Sequence, residues 1–433
     1  MRILIYSYNY YPEPIGIAPL MTELAEGLVQ RGHEVRVVTA MPNYPQRQIY
    51  EDYRGKFYLS EQRNGVLIQR SYVWIRPKPN LLDRLMLDAS FVATSFVQAW
   101  RGWRPDVILL TAPPLPASVP AALLGLFRSC PVVVNLQDIL PEAAIHVGLI
   151  RNKLMIRVFE FLEKFAYRMA HTISVITDGF VENLLGKNVP GDKIVCIPNW
   201  VDTDFIRPLP KEHNSFREEH GLQGKFVVLY SGNIALTQGL ETVIQAAARL
   251  KDISEIEIVI VGEPGALQRL QRHCDRYQTE NVKLLPFAPR EKLPEMLAAA
   301  DIGLIVQRHN VISFNMPSKT QVLLASGRPI IASVPAEGTA AKAVERSGGG
   351  ILVPPENPGA LAAAIRDLYA NPAKAELLGK KGRIHAEEYY ARPKALDQYE
   401  ALFAAVVANP HGRINLSHPL QTEKAVAEMS VDL

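Results

Sequence analysis

Residues 226–240 read FVVLYSGNIALTQGL. This stretch begins with the apolar run Phe226–Tyr230, continues through a loop that contains Gly232 and Gly239, and enters a segment with helical periodicity. A short, nearly continuous apolar run is typical of a strand that is buried on both faces of a parallel sheet. The stretch therefore predicts a strand, a loop and a helix at the start of an α/β domain.

Comparable apolar runs recur in two series, with helix-like segments between them. The first series occupies residues 3–6, 35–39, 66–75, 107–110, 132–136 and 172–176. The second occupies residues 226–230, 256–261, 282–285, 302–306, 330–333 and 350–353. This alternation predicts two Rossmann-like, doubly wound α/β domains that face each other across a cleft.

The boundary between these domains is predicted near residues 197–208, which hold turn formers and precede the polar stretch 211–219. We therefore predict a first domain over residues 1–200 and a second over residues 201–385. Residues 409–433 show no clear periodicity and are predicted to form a tail.

The composition is that of an ordinary globular protein, with 433 residues of which 48% are hydrophobic and 21% charged. A formal net charge of only +3 argues against a dedicated nucleic-acid-binding protein. The three cysteines show neither metal-ligand spacing nor a disulfide framework, which favours a reducing, cytoplasmic location. We predict no signal peptide, and the four prolines in the uncharged run 107–127 predict a strand, a loop and a helix rather than a membrane span.

Two loops of the first domain hold candidate site residues, because ligands of open α/β sheets bind at the carboxyl ends of the strands. Gly16 follows the first strand and could let backbone N–H groups approach an anion; a turn that requires glycine is the alternative. Asp138 ends the fifth apolar run, and Glu142 follows it by about one helical turn. The two carboxylates could do acid–base work, or Asp138 could cap the next segment.

The first loop of the second domain suits a phosphate group. Gly232 and Gly239 bracket this loop, and Asn233 and Gln238 are neutral hydrogen-bond donors within it. The alternative is a structural turn with a glycine at each end.

A second candidate anion site in this domain is the segment 315–319, Asn-Met-Pro-Ser-Lys, before a predicted helix over residues 320–325. Ser318 is a good N-cap residue, and Pro317 stiffens the entry to the helix. Lys319 adds a positive charge where the helix dipole is already positive, which is unfavourable unless an anion such as a diphosphate is bound. A solvated lysine is the alternative.

An amphipathic helix is predicted near residues 82–100, with apolar residues at 82, 85, 86, 89, 93, 96, 97 and 100. Residues 47–104 contain ten Lys and Arg against five Asp and Glu. A basic, apolar surface suits peripheral contact with an anionic membrane. The commoner arrangement is a helix that packs its apolar face on its own domain, and the amphipathic segment 151–169 is likewise predicted to pack on the core.

Several short motifs, in order, carry a resemblance to a known family. They are the first strand with residues 12–16, then 197–202 (IPNWVD), 231–239, 261–265 (VGEPG), 325–332 (ASGRPIIA) and 348–355 (GGGILVPP). Over residues 1 to about 407 the chain resembles the family-4 retaining nucleotide-sugar glycosyltransferases with the GT-B fold. Residues 137–142 (QDILPE), with 316–319 and 325–329, look most like the subgroup of colanic-acid and O-antigen biosynthesis, which extends lipid-linked sugars at the inner membrane face.

The resemblance implies a nucleotide-sugar donor on the second domain, an acceptor on the first domain near the catalytic Asp138, and neither a metal ion nor a further cofactor. A helix over residues 386–408 would cross back to the first domain. The implied donor-binding residues are Gly16, Gly232, Asn233, Gln238, Gly262, Asn315, Pro317, Ser318 and Lys319.

The chain departs from the family pattern at charged positions. Asn233 and Gln238 stand where the family has Arg and Lys, and Phe314 and Val322 stand where it has two Glu. We therefore hypothesise that Lys319 supplies the missing diphosphate charge.

The resemblance predicts a retaining glycosyltransferase that transfers a sugar to a lipid-linked or oligosaccharide acceptor in exopolysaccharide or O-antigen biosynthesis. One alternative is a GT-B-like nucleotide-sugar epimerase, which would need no acceptor. The other is a non-catalytic nucleotide-sugar-binding paralogue, which the missing charges suggest. A nicotinamide dehydrogenase is disfavoured because no G-x-G-x-x-G motif follows the first strand of either domain.

Overall fold

The computed structural model of the chain describes residues 1–14, 16–142, 145, 152–311, 316–410 and 412. Contacts divide the chain into two compact units, of which the first contains Met1–Pro198 with the chain from Ala395, and the second contains Asn199–Lys394. Most of the predicted tail lies outside the described residues, as do Phe314 and the predicted donor-binding residue Asn315.

The first unit is built on an eight-stranded sheet with the order β3-β4-β2-β1-β5-β6-β7-β8. Neighbouring strands are parallel except at one edge, where β3 and β4 pair antiparallel. The strands are β1 (Arg2–Tyr6), β2 (Glu34–Ala40), β3 (Tyr58–Arg63), β4 (Val66–Ser71), β5 (Val107–Ala112), β6 (Val132–Leu136), β7 (Thr172–Val175) and β8 (Ile194–Cys196).

The described helices between these strands are α1 (Ala18–Gln30), α2 (Leu81–Trp100), α3 (Ser118–Arg128), α4 (Lys153–Met169) and α5 (Asp178–Gly186). The uncharged run 107–127 thus forms β5, a loop and most of α3, as predicted. None of the described helices is long and apolar enough to cross a membrane.

The second unit is built on a six-stranded parallel sheet with the order β11-β10-β9-β12-β13-β14. Its strands are β9 (Phe226–Ser231), β10 (Ile256–Gly262), β11 (Val282–Pro286), β12 (Ile302–Val306), β13 (Ile330–Ser333) and β14 (Gly350–Val353). All six runs of the second series are therefore strands. Alternate residues of β9 enter different clusters, with Val228 and Tyr230 in one core and Val227 and Leu229 in the other. This split is the mark of a doubly wound sheet with a core on each face.

The second unit has eight α-helices of at least five residues among its described residues, and the first of them precedes β9. They are α6 (Ser215–Glu219), α7 (Glu241–Ala248), α8 (Pro264–Tyr277), α9 (Leu293–Ala298), α10 (Lys319–Ala325), α11 (Thr339–Ser347), α12 (Pro358–Ala370) and α13 (Pro372–His385).

The predicted returning helix over residues 386–408 is interrupted near its start. Ala386–Tyr390 forms a wide helical turn, Ala391 is extended, and α14 (Arg392–Ala408) follows. The interruption is held by Val201, whose backbone N–H donates to Tyr390 O at 2.8 Å. From Ala395 onward α14 belongs to the first unit.

Side chains of α14 attach it to the first unit in two ways. Tyr399 Oη accepts a hydrogen bond of 3.0 Å from Asn135 Nδ2 of β6, and Arg31 after α1 pairs with Asp397 at 2.6 Å and Glu400 at 2.9 Å. Leu396 packs over Gly27, where an added Cβ would lie 2.7 Å from Leu396 Cδ1. The return of the chain to the first unit therefore rests on packing as well as on charge.

We expect Gly27→Ala to be less stable than the matched variant Gly186→Ala by about 1–3 kcal/mol, because overpacking at Leu396 offsets the helical gain of alanine. Gly186 lies at the end of α5, and a Cβ there would meet no described atom within 4 Å. Urea denaturation of both variants measures the difference. Equal urea midpoints for the two variants would show that Leu396 of α14 can move aside for the added methyl group without a cost in stability.

Candidate functional site

The switch point of the second sheet lies at β9, since β10 is added on one side of this strand and β12 on the other. In doubly wound sheets, ligands bind outside the carboxyl ends of the strands at this point. The loop after β9 contains Gly232, Asn233 and Gln238, and the segment after β12 leads to α10 and Lys319. The second-unit candidates other than Gly262, which ends β10, therefore lie on the two segments that leave the switch point.

Lys319 has an unusual environment for a lysine. Its Nζ atom is buried and has no hydrogen-bond partner among the described residues, although the residue as a whole is only half-buried. The ammonium group lies 3.6 Å from the centroid of the Tyr230 ring. Burial lowers the pKa of Lys319 to about 7. An unpaired buried ammonium is unfavourable, so an anion that reached it would be bound strongly.

The backbone at Gly232 adjoins this ammonium group. A Cβ atom added at Gly232 would lie 3.1 Å from Lys319 Nζ and 3.3 Å from Cε. Gly232 also has a φ of +141°, a backbone conformation that residues other than glycine rarely adopt. Glycine is thus favoured by the backbone conformation, and the absence of a side chain leaves room for the close approach of Lys319.

The physical reason for expecting an anion at Lys319 changes with the structure. The helix α10 has only seven residues, so its dipole is a weak argument, and Ser318 occupies the N-cap position without a side-chain capping bond. The buried, unpartnered Nζ carries the argument instead. Close packing on β12 places the helix: a Cβ at Gly303 would lie 2.5 Å from Leu323 Cδ2. Pro317, just before the helix, is half-buried.

The loop after β9 is fixed by its packing on the end of β10 and by hydrogen bonds within the loop itself. A Cβ at Gly262 would lie 2.2 Å from Ile234 Cδ1, so the absence of a side chain at Gly262 lets the loop pack down. Gln238 Oε1 accepts a 2.6 Å hydrogen bond from Ala235 N, which closes a turn. Asn233 is exposed, and its carbonyl oxygen accepts a 2.8 Å bond from Tyr230 Oη. Gln238 and Gly262 therefore support the loop, and the Asn233 side chain is open to solvent.

Arg308 is a charged residue of this edge that sequence reasoning missed. It follows β12, and its guanidinium group pairs with Glu241 at 3.2 Å and Glu356 at 3.3 Å. Two carboxylates thus offset its charge, whereas Lys319 has no such partner among the described residues. Within the described part of the chain, no group of three His, Cys, Asp or Glu is arranged to hold a metal ion.

In the first unit, the predicted residue Asp138 follows β6 and is half-buried. Burial raises its pKa, and its Oδ1 accepts a 3.0 Å hydrogen bond from Ile139 N. Glu142 is engaged elsewhere, with Lys187 at 3.0 Å and Asn183 Nδ2 at 2.8 Å. The contacts therefore favour Asp138 alone, rather than an acid–base pair with Glu142.

The loop after β1 is organised around a buried carboxylate. Glu13 Oε1 accepts hydrogen bonds from Asn43 N at 2.7 Å and Tyr44 N at 2.8 Å, which joins this loop to the loop after β2. Burial raises the pKa of Glu13. Gly16, with a φ of +72°, forms a turn before α1 begins at Ala18.

A mainly apolar cavity of about 510 Å³ lies in the first unit beside these loops. Its walls include Tyr44, Leu140, Phe159 and the prolines 113, 114 and 116. Asp88 of α2 lines this cavity, and burial raises its pKa to about 6. Sequence reasoning missed Asp88. The pattern that could have revealed it is a carboxylate that stands between apolar residues of an amphipathic helix. Leu140 places the cavity on the same loop as Asp138.

Comparison with known proteins identifies both units. Residues 16–200 match the family described as glycosyl transferase 4-like domain, and residues 212–385 match the family described as glycosyl transferases group 1. The chain is 32% identical over 380 residues to WcaI of Escherichia coli K12, which is named as a colanic acid biosynthesis glycosyl transferase; the match covers 86% of this chain and 93% of WcaI.

Solved structures show the same fold at low sequence identity. Sucrose-phosphate synthase from Thermosynechococcus elongatus has a TM-score of 0.71 at 17% identity, with 94% of this chain and 99% of that chain covered. HepE from Anabaena in complex with UDP-glucose has a TM-score of 0.69 at 17% identity, with coverage of 93% and 99%. The chain therefore has the GT-B fold and belongs to the glycosyltransferases that join a glycosyl transferase 4-like domain to a group 1 domain.

Proposed function

We propose that this glycosyltransferase moves a sugar, with retention of anomeric configuration, from a nucleoside-diphosphate sugar to a lipid-linked saccharide acceptor in exopolysaccharide or O-antigen biosynthesis. The observation that carries the proposal is the buried Lys319 Nζ, which lies without a partner among the described residues beside the Gly232 backbone. A diphosphate is the ligand that such a group fits. The similarity to WcaI supports the pathway, and the UDP-glucose complex of HepE supports the class of donor.

In the proposed reaction, the bond between the sugar C1 and the diphosphate oxygen breaks, and a bond forms between C1 and the acceptor oxygen on the same face. The acceptor proton passes to the departing phosphate, so no protein nucleophile is needed. Lys319 stabilises the charge that grows on the diphosphate. Asp138 orients the acceptor hydroxyl group through a hydrogen bond.

The cavity lined by Leu140, two residues after Asp138, supports an acceptor with an apolar part. Its walls are mainly apolar, with Leu140, Met155 and Phe159 among them, and arginines 47, 76 and 84 also line it. Apolar walls suit a lipid chain, and guanidinium groups suit the phosphates that join such a chain to a saccharide. The reaction is proposed to take place at the cytoplasmic side of the membrane and to need no further cofactor.

Asn233 and Gln238 specifically support one alternative function. This alternative is a protein that binds a nucleotide sugar without turnover. Asn233 is exposed and uncharged, and Gln238 closes a turn. Neither supplies the charge that the family has at these positions. Lys319 distinguishes the two functions, because among the described residues of this edge it is a cation whose charge no carboxylate offsets, so it can stabilise a leaving diphosphate.

The test is a screen of UDP- and GDP-sugars for thermal stabilisation of the protein, followed by incubation of each hit with membrane lipid extract. We expect one nucleotide sugar to raise the melting temperature and to yield a glycosylated lipid detectable by mass spectrometry. Nucleoside monophosphates serve as controls and should stabilise less, because they lack the second phosphate. Conversion of the donor without lipid would indicate an epimerase, binding without turnover would indicate the paralogue, and no stabilisation by any sugar nucleotide would refute the donor site.

A further inference from the structure

The helix α2 is attached to its unit by a side that combines the buried apolar residues Phe91 and Ala99 with hydrogen-bonding polar residues. Thr94 Oγ1 donates to Tyr72 O at 2.8 Å, Gln98 Nε2 donates to Arg70 O at 3.1 Å, and Ser95 bonds to the Tyr6 hydroxyl group. The opposite side, which carries most of the apolar residues predicted to pack inward, is exposed. Leu82 is 66% exposed, and Leu85, Met86, Val97 and Trp100 are also exposed. The expectation that α2 packs this face on its own unit is therefore wrong, because its other side is held inward by the packing of Phe91 and by hydrogen bonds to the neighbouring backbone.

Two neighbouring helices extend this apolar surface. Leu126 of α3 is 74% exposed and Phe161 of α4 is 68% exposed. The Trp100 and Phe127 rings meet edge to face at 5.6 Å, which joins α2 to α3, and α3 in turn packs against α4. We call the combined surface the apolar face; it consists of Leu82, Leu85, Met86, Val97, Trp100, Leu123, Leu126, Phe127, Leu154, Val158 and Phe161.

The segment 151–169 was predicted to pack on the core, and the described part of it, α4, does so only in part. Its buried residues are Glu163, Ala166 and Tyr167, near the carboxyl end, whereas Leu154, Val158 and Phe161 nearer the amino end are exposed. Large contiguous apolar patches on soluble domains mark sites of interaction. The apolar face is thus a candidate site of interaction that no described residue of the chain covers.

The charges around the apolar face are mostly positive. Segments 74–104, 118–128 and 152–162 contain eight Lys and Arg against three Asp and Glu. None of the eight forms an ion pair with a described residue. Of the three acids, Asp83 caps α2 through Asn80 N, and Asp88 lines the cavity. The surface therefore combines apolar side chains with cations that lack acidic partners, which is complementary to a layer of anionic headgroups over hydrocarbon.

We propose that the apolar face rests on an anionic lipid bilayer, with its helices lying in the headgroup region rather than across the membrane. Trp100 suits this position because an indole ring prefers the boundary between hydrocarbon and water. Leu85 belongs both to the apolar face and to the wall of the cavity that Asp88 lines. When the protein rests on the bilayer, this cavity would therefore open toward the lipid. The inference goes beyond the proposed function and does not depend on the donor site.

The test is co-sedimentation of the full chain with vesicles of phosphatidylcholine that contain about 30 mol% phosphatidylglycerol, compared with phosphatidylcholine alone. We expect binding to the anionic vesicles, weaker binding to neutral ones, and loss of binding in high salt. The variant Leu82→Glu/Leu126→Glu/Phe161→Glu is expected to bind anionic vesicles at least about tenfold more weakly, because three acidic groups would enter the interface.

A matched control comes from α13 in the other unit. Leu377→Glu/Ile384→Glu changes side chains that are 54% and 60% exposed but lie outside the apolar face, and should bind as the unaltered chain does. Near-ultraviolet circular dichroism shows whether each variant is folded. Thermal stabilisation by UDP- and GDP-sugars tests the donor site separately from membrane binding. The proposal is overturned if anionic vesicles do not bind, if the triple variant binds normally, or if sedimentation velocity shows a dimer that only the triple variant dissociates.

Discussion

Replacement of Lys319 by methionine is expected to lower kcat/KM for sugar transfer by about 10²–10³-fold, the loss that follows removal of one strong donor to a developing negative charge. Methionine keeps the length of the side chain and removes only the ammonium group, so the packing against Tyr230 is retained. Isothermal titration with the nucleotide sugar should show weaker binding as well. Lys394→Met, at an exposed lysine without an ion pair among the described residues, is the control and should leave both quantities unchanged.

The same substitution should stabilise the protein without ligand, which a purely structural lysine would not do. Burial lowers the pKa of Lys319 from 10.5 to about 7, so below pH 7 the folded protein carries an ammonium group in an unfavourable site. Between pH 7 and 10.5 the unfolded chain holds this proton and the folded chain does not, so stability rises with pH. We expect Lys319→Met to raise the free energy of unfolding at pH 6 by about 1–2 kcal/mol, and by less at pH 9.

Donor binding should take up a proton at Lys319. The diphosphate favours the charged amine, so affinity should fall as pH rises above about 7, and titration at pH 8 in buffers of different ionisation enthalpy should reveal the uptake. The methionine variant should lose this dependence. Unchanged donor affinity and unchanged proton uptake in Lys319→Met would count against a diphosphate site at this position.

Asp138→Asn is expected to reduce kcat by about 10²-fold, because an amide is a poorer acceptor for the hydroxyl group of the incoming saccharide. Burial raises the pKa of Asp138, so the carboxylate should be lost, and activity with it, as pH falls through this raised value. The variant should lack this acidic limb of the pH–rate profile. Because a raised pKa means that the folded state favours the neutral form, the substitution should not destabilise the protein at neutral pH.

Glu142→Gln is the matched control for Asp138→Asn. It removes one of the two charge partners of Lys187, the other being Glu163, so it should lower the free energy of unfolding by only about 0.5–1 kcal/mol while kcat is unchanged. Steady-state kinetics over pH 5–9 and urea denaturation of both variants separate the two roles. A normal kcat in Asp138→Asn, or a loss in Glu142→Gln that exceeds it, would transfer the catalytic role to the other carboxylate.

Sequence patterns predicted the second sheet completely and the first sheet in part. Strands such as β5 and β10 are buried along their whole length, and this produces the continuous apolar runs that are visible in a sequence. The antiparallel strand β3 was missed because its side chains are exposed or only half-buried, and β8 because it has only three residues. A strand at the edge of a sheet needs no apolar run, so its sequence carries little signal.

The sequence by itself determined the two α/β units, the loops that leave their strands and the choice of Lys319 as a candidate residue. The tertiary structure decided why Lys319 stands out, because the burial of Nζ depends on Tyr230 and Gly232, which are distant from it in the chain. It also decided which side of α2 meets the solvent. A helical period shows that two faces differ, but tertiary contacts determine which face turns inward. These are the ring contacts of Phe91 and the hydrogen bonds of Thr94 and Gln98 to the neighbouring backbone.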